Sequence, residues 1–159
     1  MDRLTKEARS RNMAAIKSKN TKPELILRKA LHKAGFRFRL HRKDLPGKPD
    51  IVLPKYKTVI FVHGCFWHQH KGCRRSAVPK TNKTYWKNKL EKNVKRDEIN
   101  LARLKELEWK IVVIWECELE KTNHKILLNR LFIPRKFFQL SSKFPLGLKQ
   151  SNFLHPQLN

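Results

Sequence analysis

Acidic residues are scarce in this chain: 13 Asp and Glu stand against 37 Lys and Arg among 159 residues, a formal net charge of +24. An excess of that size has no use in handling a neutral small molecule. Its physical use is attraction of a polyanion, because each phosphate neutralised releases condensed counterions. Ribosomes and anionic membranes also attract cations, and charge aids solubility, but a basic domain of this size favours nucleic acid. Long apolar runs are missing too. The longest, Thr58–Val62 and Ile111–Trp115, fall far short of the roughly 20 residues that span a bilayer. The segment Met1–Lys6 lacks the apolar stretch of a secretory signal. A soluble intracellular protein without membrane association is expected.

Cysteine is sparse and odd in number, so Cys65, Cys73 and Cys117 cannot all pair within the chain. In an intracellular protein such cysteines direct attention to metal or thiol chemistry. There is no internal repeat, Gly/Ser linker or low-complexity block. With 40% hydrophobic and 31% charged residues, the composition is that of a folded domain. The length suits one domain with a core large enough to need no disulfides.

What is present orders itself along the chain. Residues 1–20 are basic and irregular. Thr21-Lys22-Pro23-Glu24 reads as a helix start, with Thr at the N-cap, Pro in the first turn and Glu three residues after the cap. Leu27, Leu31 and Ala34 follow at helical spacing, and Gly35 stops the helix. Phe36, Phe38 and Leu40 alternate with Arg37, Arg39 and His41, the period of a half-exposed strand. Leu45–Pro49 must be a loop. Asp50–Leu53 and Thr58–His63 predict two antiparallel strands around a Pro54–Lys57 turn. A dense, irregular segment runs from Gly64 to about Asn82. A long helix is predicted over about Thr84–Leu107, with Leu90, Val94, Leu101, Leu104 and Leu107 facing inward. Lys110–Trp115 reads as a strand covered on both faces. The order is α-β-β-β-α-β, an α/β fold with a mixed sheet flanked by helices. Boundaries are expected at 1–20 (basic N-terminal segment), 21–120 (core) and 121–159, where seven basic residues, no acidic one and three prolines suggest an extension over the body or onto DNA; within it a helix over about Lys125–Leu131 is expected.

Cys65-Phe66-Trp67-His68-Gln69-His70-Lys71-Gly72-Cys73 puts two thiols and two imidazoles into nine residues. Zinc takes four soft or borderline ligands in a tetrahedron, and a short loop can supply three. Cys65, His70 and Cys73 have suitable spacing, and Cys117, just beyond the last strand, completes a set that uses every cysteine. His68 could replace His70, and Cys117 could instead be a small buried apolar residue.

Asp50 opens one strand and His63 ends its neighbour, so both converge at one edge of the sheet. A hard cation such as Mg²⁺ could sit there on a carboxylate, a backbone carbonyl and waters. Phosphodiester cleavage needs such a cation and a group to handle the attacking water. His68 suits the second task. Local pattern equally allows Asp50 to cap a turn, and Glu24 to serve only its capping box. Phe66, Trp67 and Trp86 lie among twelve basic and three acidic residues over 71–105, including Lys89 and Lys92. Apolar wedges with cationic flanks can enter a base stack. Core packing is the alternative for these three, and the expectation for Trp109 and Trp115.

Pro46-Gly47-Lys48-Pro49-Asp50, Val59-Ile60-Phe61-Val62-His63-Gly64-Cys65-Phe66-Trp67-His68, Asn93-Val94-Lys95-Arg96-Asp97 and Trp115-Glu116-Cys117, with Arg11-Asn12-Met13 and Ala15-Ile16 before them, together resemble the very short patch repair (Vsr) endonucleases. The resemblance covers about residues 8–119, and its His-Gly-Cys-Phe-Trp-His run is highly specific. It implies a restriction-endonuclease-like core stapled by structural zinc, and a Mg²⁺-dependent nick on the 5′ side of the thymine in a T:G mismatch. It implies Mg²⁺ on Asp50 and the carbonyl of Val62, with His68 helping to activate water and His63, Glu24 and Asp97 in support. It implies Zn²⁺ on Cys65, His70, Cys73 and Cys117. Phe66, Trp67 and Trp86 would wedge beside the mismatch, with Met13 clamping from the other groove, and Lys89 and Lys92 on the backbone. A bacterial-type, cytoplasmic, nucleoid-associated monomer is expected, with mismatch-repair proteins as further partners. The chain departs from the family pattern at Val62, where Thr is usual; Val lacks the hydroxyl but keeps the carbonyl. The Cys65–Cys73 loop also looks one residue longer and less His-rich. Rival readings are a catalytically silent zinc-stapled DNA-binding module and a nuclease of the same fold acting on other DNA structures. Asp50, Glu24, His63 and His68 together favour the enzyme, since binding needs none of them.

Overall fold

A computed structural model describes residues 19–121 together with Thr5, Glu7, Ala8, Arg11 and Ala15. The expected clamp residue Met13 and the expected extension beyond 121 lie outside the described residues. The elements are α1 (Lys22–Lys33), β1 (Arg39–Leu40), β2 (Ile51–Leu53), β3 (Thr58–His63), α2 (Lys83–Glu106), β4 (Lys110–Trp115) and α3 (Glu116–Lys121), with short 3-10 turns at Pro54–Tyr56 and Arg74–Ser76. The α-β-β-β-α-β order is therefore present, followed by one short helix. No described helix is long and apolar enough to cross a membrane.

Local chemistry explains the boundaries. Thr21 has extended backbone at the N-cap of α1, and the Glu24 carboxylate accepts hydrogen bonds from the Thr21 N–H (3.3 Å) and hydroxyl (2.9 Å). At the other end Gly35 adopts φ +84°, which a Cβ would resist. The Gly35 N–H reaches the His32 carbonyl and the Phe36 N–H the Leu31 carbonyl, each at 3.0 Å, the paired bonds of a Schellman stop.

The sheet has the order β1-β2-β3-β4. β2 and β3 are antiparallel, with Ile51 opposite Ile60. β3 and β4 are parallel over six rungs, from Thr58 opposite Lys110 to His63 opposite Trp115. Parallel neighbours need a long crossover, and α2 supplies it. One face of the sheet (Ile51, Leu53, Ile60, Ile114) packs on Leu27 and Leu31 of α1 and Leu119 of α3. The other (Val52, Val59, Phe61, with Ile111 and Val113) packs on Leu104 of α2. β4 is thus covered on both faces, as its unbroken apolar run predicts.

Two expectations change. The Phe36–Leu40 alternation predicts a longer strand than forms. Only Arg39 and Leu40 pair, opposite Val52 and Ile51, and the left-handed backbone of His41 (φ +47°) ends the extended run just after Leu40. Phe36 is buried by edge-on packing against Tyr56 at 5.6 Å, while Leu40 is exposed. Leu107 caps the C-terminus of α2 and is 50% exposed, so it does not share the buried side of Leu90 and Leu104.

Candidate active site

The register of β3 on β4 builds the site. It sets His63 beside Trp115, so the residues that follow each strand emerge together. The Cys65 N–H donates to the Glu116 carboxylate at 3.1 Å, tying the two exits. The loop after β3 then folds back on itself: His68 N–H bonds to the Gly64 carbonyl (3.1 Å) and His70 N–H to the Cys65 carbonyl (3.0 Å). Asn93 of α2 donates to the Trp67 carbonyl at 3.3 Å. The loop so folded sends Cys65, His70 and Cys73 to one cluster and His68 to another.

The first cluster is sulfur-rich. One ligand atom from each of Cys65, His70, Cys73 and Cys117 lies within 4.8 Å of the others. His70 Nδ1 is 3.5 Å from Cys65 Sγ and 3.4 Å from Cys117 Sγ. A tetrahedral zinc, with bonds of about 2.3 Å to sulfur and about 2.0–2.1 Å to nitrogen, separates those atoms by about 3.6 Å. The donor set and spacing therefore fit a four-coordinate metal. Burial pushes the Cys65 thiol up to about 12, so it would ionise only beside a cation. A hydrogen bond from the Arg75 backbone holds Cys73 below its usual range. Of the two loop histidines, His70 is the one placed with the cysteines.

The second cluster lines an open cleft of about 940 Å³ that holds Glu24, Asp50, Val62, His63, His68 and Asp97. Asp50, just before β2, accepts a hydrogen bond from the Val62 N–H on Oδ2 at 2.7 Å. Burial raises its carboxyl to about 6, the Val62 bond opposing and the Glu24 charge adding to the shift. His68 Nδ1 meets Asp97 Oδ2 at 2.5 Å. The His68 ring stacks on His63 at 3.9 Å with planes 9° apart. Burial lowers His63 to about 4, and the nearby His68 charge lowers it further. Since Asp97 can only accept, Nδ1 of His68 carries the proton and Nε2 is left for a substrate water.

Glu24 lies at the start of α1 and lines the cleft. It caps α1 and also forms a buried ion pair with Arg28 at 2.6 Å, within the cleft wall. His41 completes that wall, with Nε2 3.7 Å from Glu24 and Nδ1 3.9 Å from Asp50. Burial lowers the His41 pKa, while Glu24 opposes the shift. Sequence reasoning missed this residue: in the Phe36–His41 alternation it reads as one more solvent-facing polar position.

Trp115 stands between the two clusters. His70 stacks on it at 4.1 Å with planes 2° apart, and His63 meets it edge-on at 5.4 Å. Trp115 is thus a partition and only half-buried, where core packing was expected. Trp109 is half-buried against the α2-side cluster, with Arg42 over its ring at 5.9 Å.

The aromatic group gathers as one cluster. Phe66 meets Trp67 at 5.1 Å and Trp86 at 5.4 Å, both edge-on. Trp86 is 8% exposed, Phe66 and Trp67 are half-buried, and Tyr85 is 56% exposed. Lys89 extends over Trp67 and Tyr85 at 5.5 Å each. Lys89 and Lys92 are both exposed on α2.

Comparison with known proteins points one way. A family model described as DNA mismatch endonuclease Vsr matches residues 1–75. Type II nicking enzyme V.XorIIP of Xanthomonas oryzae pv. oryzae is 52% identical over 118 residues, 74% of this chain and 86% of the relative. Type II nicking enzyme V.NmeAIP of Neisseria meningitidis is 48% identical over 131 residues, 82% of this chain and 93% of the relative. DNA mismatch endonuclease Vsr of Escherichia coli is 43% identical over 129 residues, 79% of this chain and 82% of the relative.

Proposed function

This chain belongs to the Vsr family of DNA mismatch endonucleases, and from that premise we propose that it nicks one strand of duplex DNA on the 5′ side of the thymine in a T:G mismatch, with Mg²⁺ in the cleft and Zn²⁺ in the cysteine cluster. As an endonuclease it is a hydrolase of DNA phosphodiester bonds. The observation that carries the finer reading is the convergence of Asp50, held by the Val62 N–H, with the His68–Asp97 pair in one cleft.

Asp50 and the Val62 carbonyl would hold the cation, which when bound offsets the charge building on the phosphate. Asp97 keeps the Nδ1 proton of His68 in place, so that Nε2 can take a proton from the attacking water. His63, neutral and stacked on His68, fixes the ring's plane without adding a second positive charge. Glu24 anchors the start of α1 at the cleft rim. Cys65, His70, Cys73 and Cys117 would hold zinc and so fix the loop that carries His68.

Phe66 and Trp67 supply the half-buried wedge, Trp86 the ring against which they rest, and Lys89 and Lys92 the contact to phosphates. A mispair is the natural target of a wedge, because the stack there is already weak. The protein would act as a monomer in a bacterial cytoplasm, on chromosomal DNA, alongside mismatch-repair proteins.

The decisive assay is Mg²⁺-dependent nicking of a matched duplex and of duplexes bearing each mismatch. Nicking confined to the T:G strand 5′ to thymine is expected. Equal cutting of matched DNA would instead favour a nuclease for other DNA structures, and binding without cutting the silent module.

A further inference from the structure

Glu24, His41 and Asp50 present ligand atoms within 4.8 Å of one another, the spacing of a cation site. A cation already stands there. Arg28 NH2 lies 2.6 Å from Glu24 Oε2 and 2.9 Å from His41 Nε2, and its NH1 donates to Asn20 Oδ1 at 2.7 Å. The guanidinium is short of acceptors even so, since Arg28 Nε is buried without a partner.

That shortage fixes the histidine. A guanidinium nitrogen only donates, so His41 Nε2 must accept, and the proton of the neutral ring sits on Nδ1. Nδ1 faces Asp50 Oδ1 at 3.9 Å, within ion-pair range and longer than a direct hydrogen bond. The other Asp50 oxygen already accepts from Val62. His41 adopts φ +47°, a left-handed backbone rare outside glycine, which holds the ring between Arg28 and Asp50.

We propose that His41 is a positioning residue for Asp50: Arg28 sets its tautomer, and its Nδ1–H steadies Oδ1 so that the carboxylate presents one defined edge to the divalent cation. The inference deepens the reading of Asp50 as the metal carboxylate and rests on it. It adds no ligand. His41 acts on the geometry and affinity of the metal site, and through it on the Mg²⁺ requirement for nicking.

The test compares His41→Leu, which keeps bulk but no donor, with His41→Asn, whose amide can donate from the place of Nδ1. Mn²⁺ binding to the full chain, followed by loss of the free-ion electron paramagnetic resonance signal, gives a readout without turnover. The Mg²⁺ concentration for half-maximal nicking gives a second. His41→Leu should weaken Mn²⁺ binding about tenfold and raise the Mg²⁺ requirement to match, with kcat at saturating Mg²⁺ much less affected. His41→Asn should recover most of both. Wild-type Mn²⁺ binding in a folded His41→Leu overturns the inference, as does His41→Asn no better than His41→Leu. Asp50→Asn separates the two levels. If it too binds Mn²⁺ normally, the metal reading of Asp50 fails; if only it loses Mn²⁺, the role of His41 fails alone.

Discussion

The imidazoles of His63 and His68 lie face to face at 3.9 Å, 9° from parallel. Two positive rings cannot share that stack, and burial decides which stays neutral: His63 is pulled down to about 4. On the proposed mechanism the proton is handled by His68, whose partner is Asp97. His68→Ala should lower nicking by on the order of a hundredfold or more, and Asp97→Asn should cost less, since an amide oxygen can still accept from Nδ1. Single-turnover nicking rates check both. A His68→Ala rate near wild type would move the base elsewhere.

Asp50→Ala should abolish Mg²⁺-dependent nicking and leave affinity for mismatched duplex nearly unchanged, because phosphate contacts come from lysines and arginines. Gel-shift affinity and nicking rate, measured on the same preparation, separate the two effects.

Asp50 and His63 also oppose one another in the pH dependence of stability. Asp50 is raised from 3.8 to about 6 in the fold, so its stabilising contribution is full below pH 3.8 and is lost as pH rises through 6. His63 is lowered from 6.5 to about 4, so its contribution is full above pH 6.5 and is lost as pH falls through 4. In Mg²⁺-free buffer the two nearly cancel between pH 4 and 6.5. Asp50→Asn removes one side and should become acid-labile across that window, by up to about 2–3 kcal/mol at 1.36 kcal/mol per unit. Melting temperatures of the wild type and Asp50→Asn at pH 7 and pH 4.5 test the sign.

Purified protein should carry about one zinc per chain, and Cys117→Ser should lose metal and soluble fold together, because metal binding and folding share free energy. The shared Trp115 ring adds a second effect. Freed from metal, His70 no longer braces the indole that His63 packs against, so partial zinc removal should lower nicking before it unfolds the chain. Zinc content, circular dichroism and activity during a chelator titration give the order of events.

Attraction and recognition should separate by mutation. Neutralising Lys89 and Lys92 should flatten the salt dependence of binding, with each lost phosphate contact lowering the slope by about one. Phe66→Ala with Trp67→Ala should shrink the ratio of mismatched to matched cutting at an unchanged salt slope. Trp86→Ala is a poorer test, since truncating so buried a tryptophan costs about 3–5 kcal/mol.

Much of this was legible from residues alone because short-range chemistry wrote it. The Thr21–Glu24 cap, the Gly35 stop and the β2–β3 hairpin that brings Asp50 beside Val62 are all local. The pairing of Cys117 with Cys65 follows once an apolar run such as Ile111–Trp115 is read as a neighbour of Thr58–His63. The choice of His70 over His68 as the ligand was legible as a preference, from ligand spacing and from the other use open to His68, but the separation of the two rings in space was not. It is decided by the loop's own turns and by α2. His41 stayed hidden because its partners, Arg28 and Asp50, come from other elements and its left-handed backbone leaves no mark in composition. Trp115 shows the same limit: an aromatic residue announces burial, while its use depends on which face stays open.

The parallel pairing of β3 with β4 carries a consequence for the newborn chain. His68 leaves the ribosome well before Cys117, about 50 residues later, which at about 5–20 residues per second is an interval of roughly 2–10 s. Until β4 arrives, the loop after β3 has neither its third sulfur nor the Glu116 tether nor the Trp115 partition. The cleft is therefore complete only once β4 has paired with β3, and on the proposed function a partly synthesised chain would not yet cut DNA.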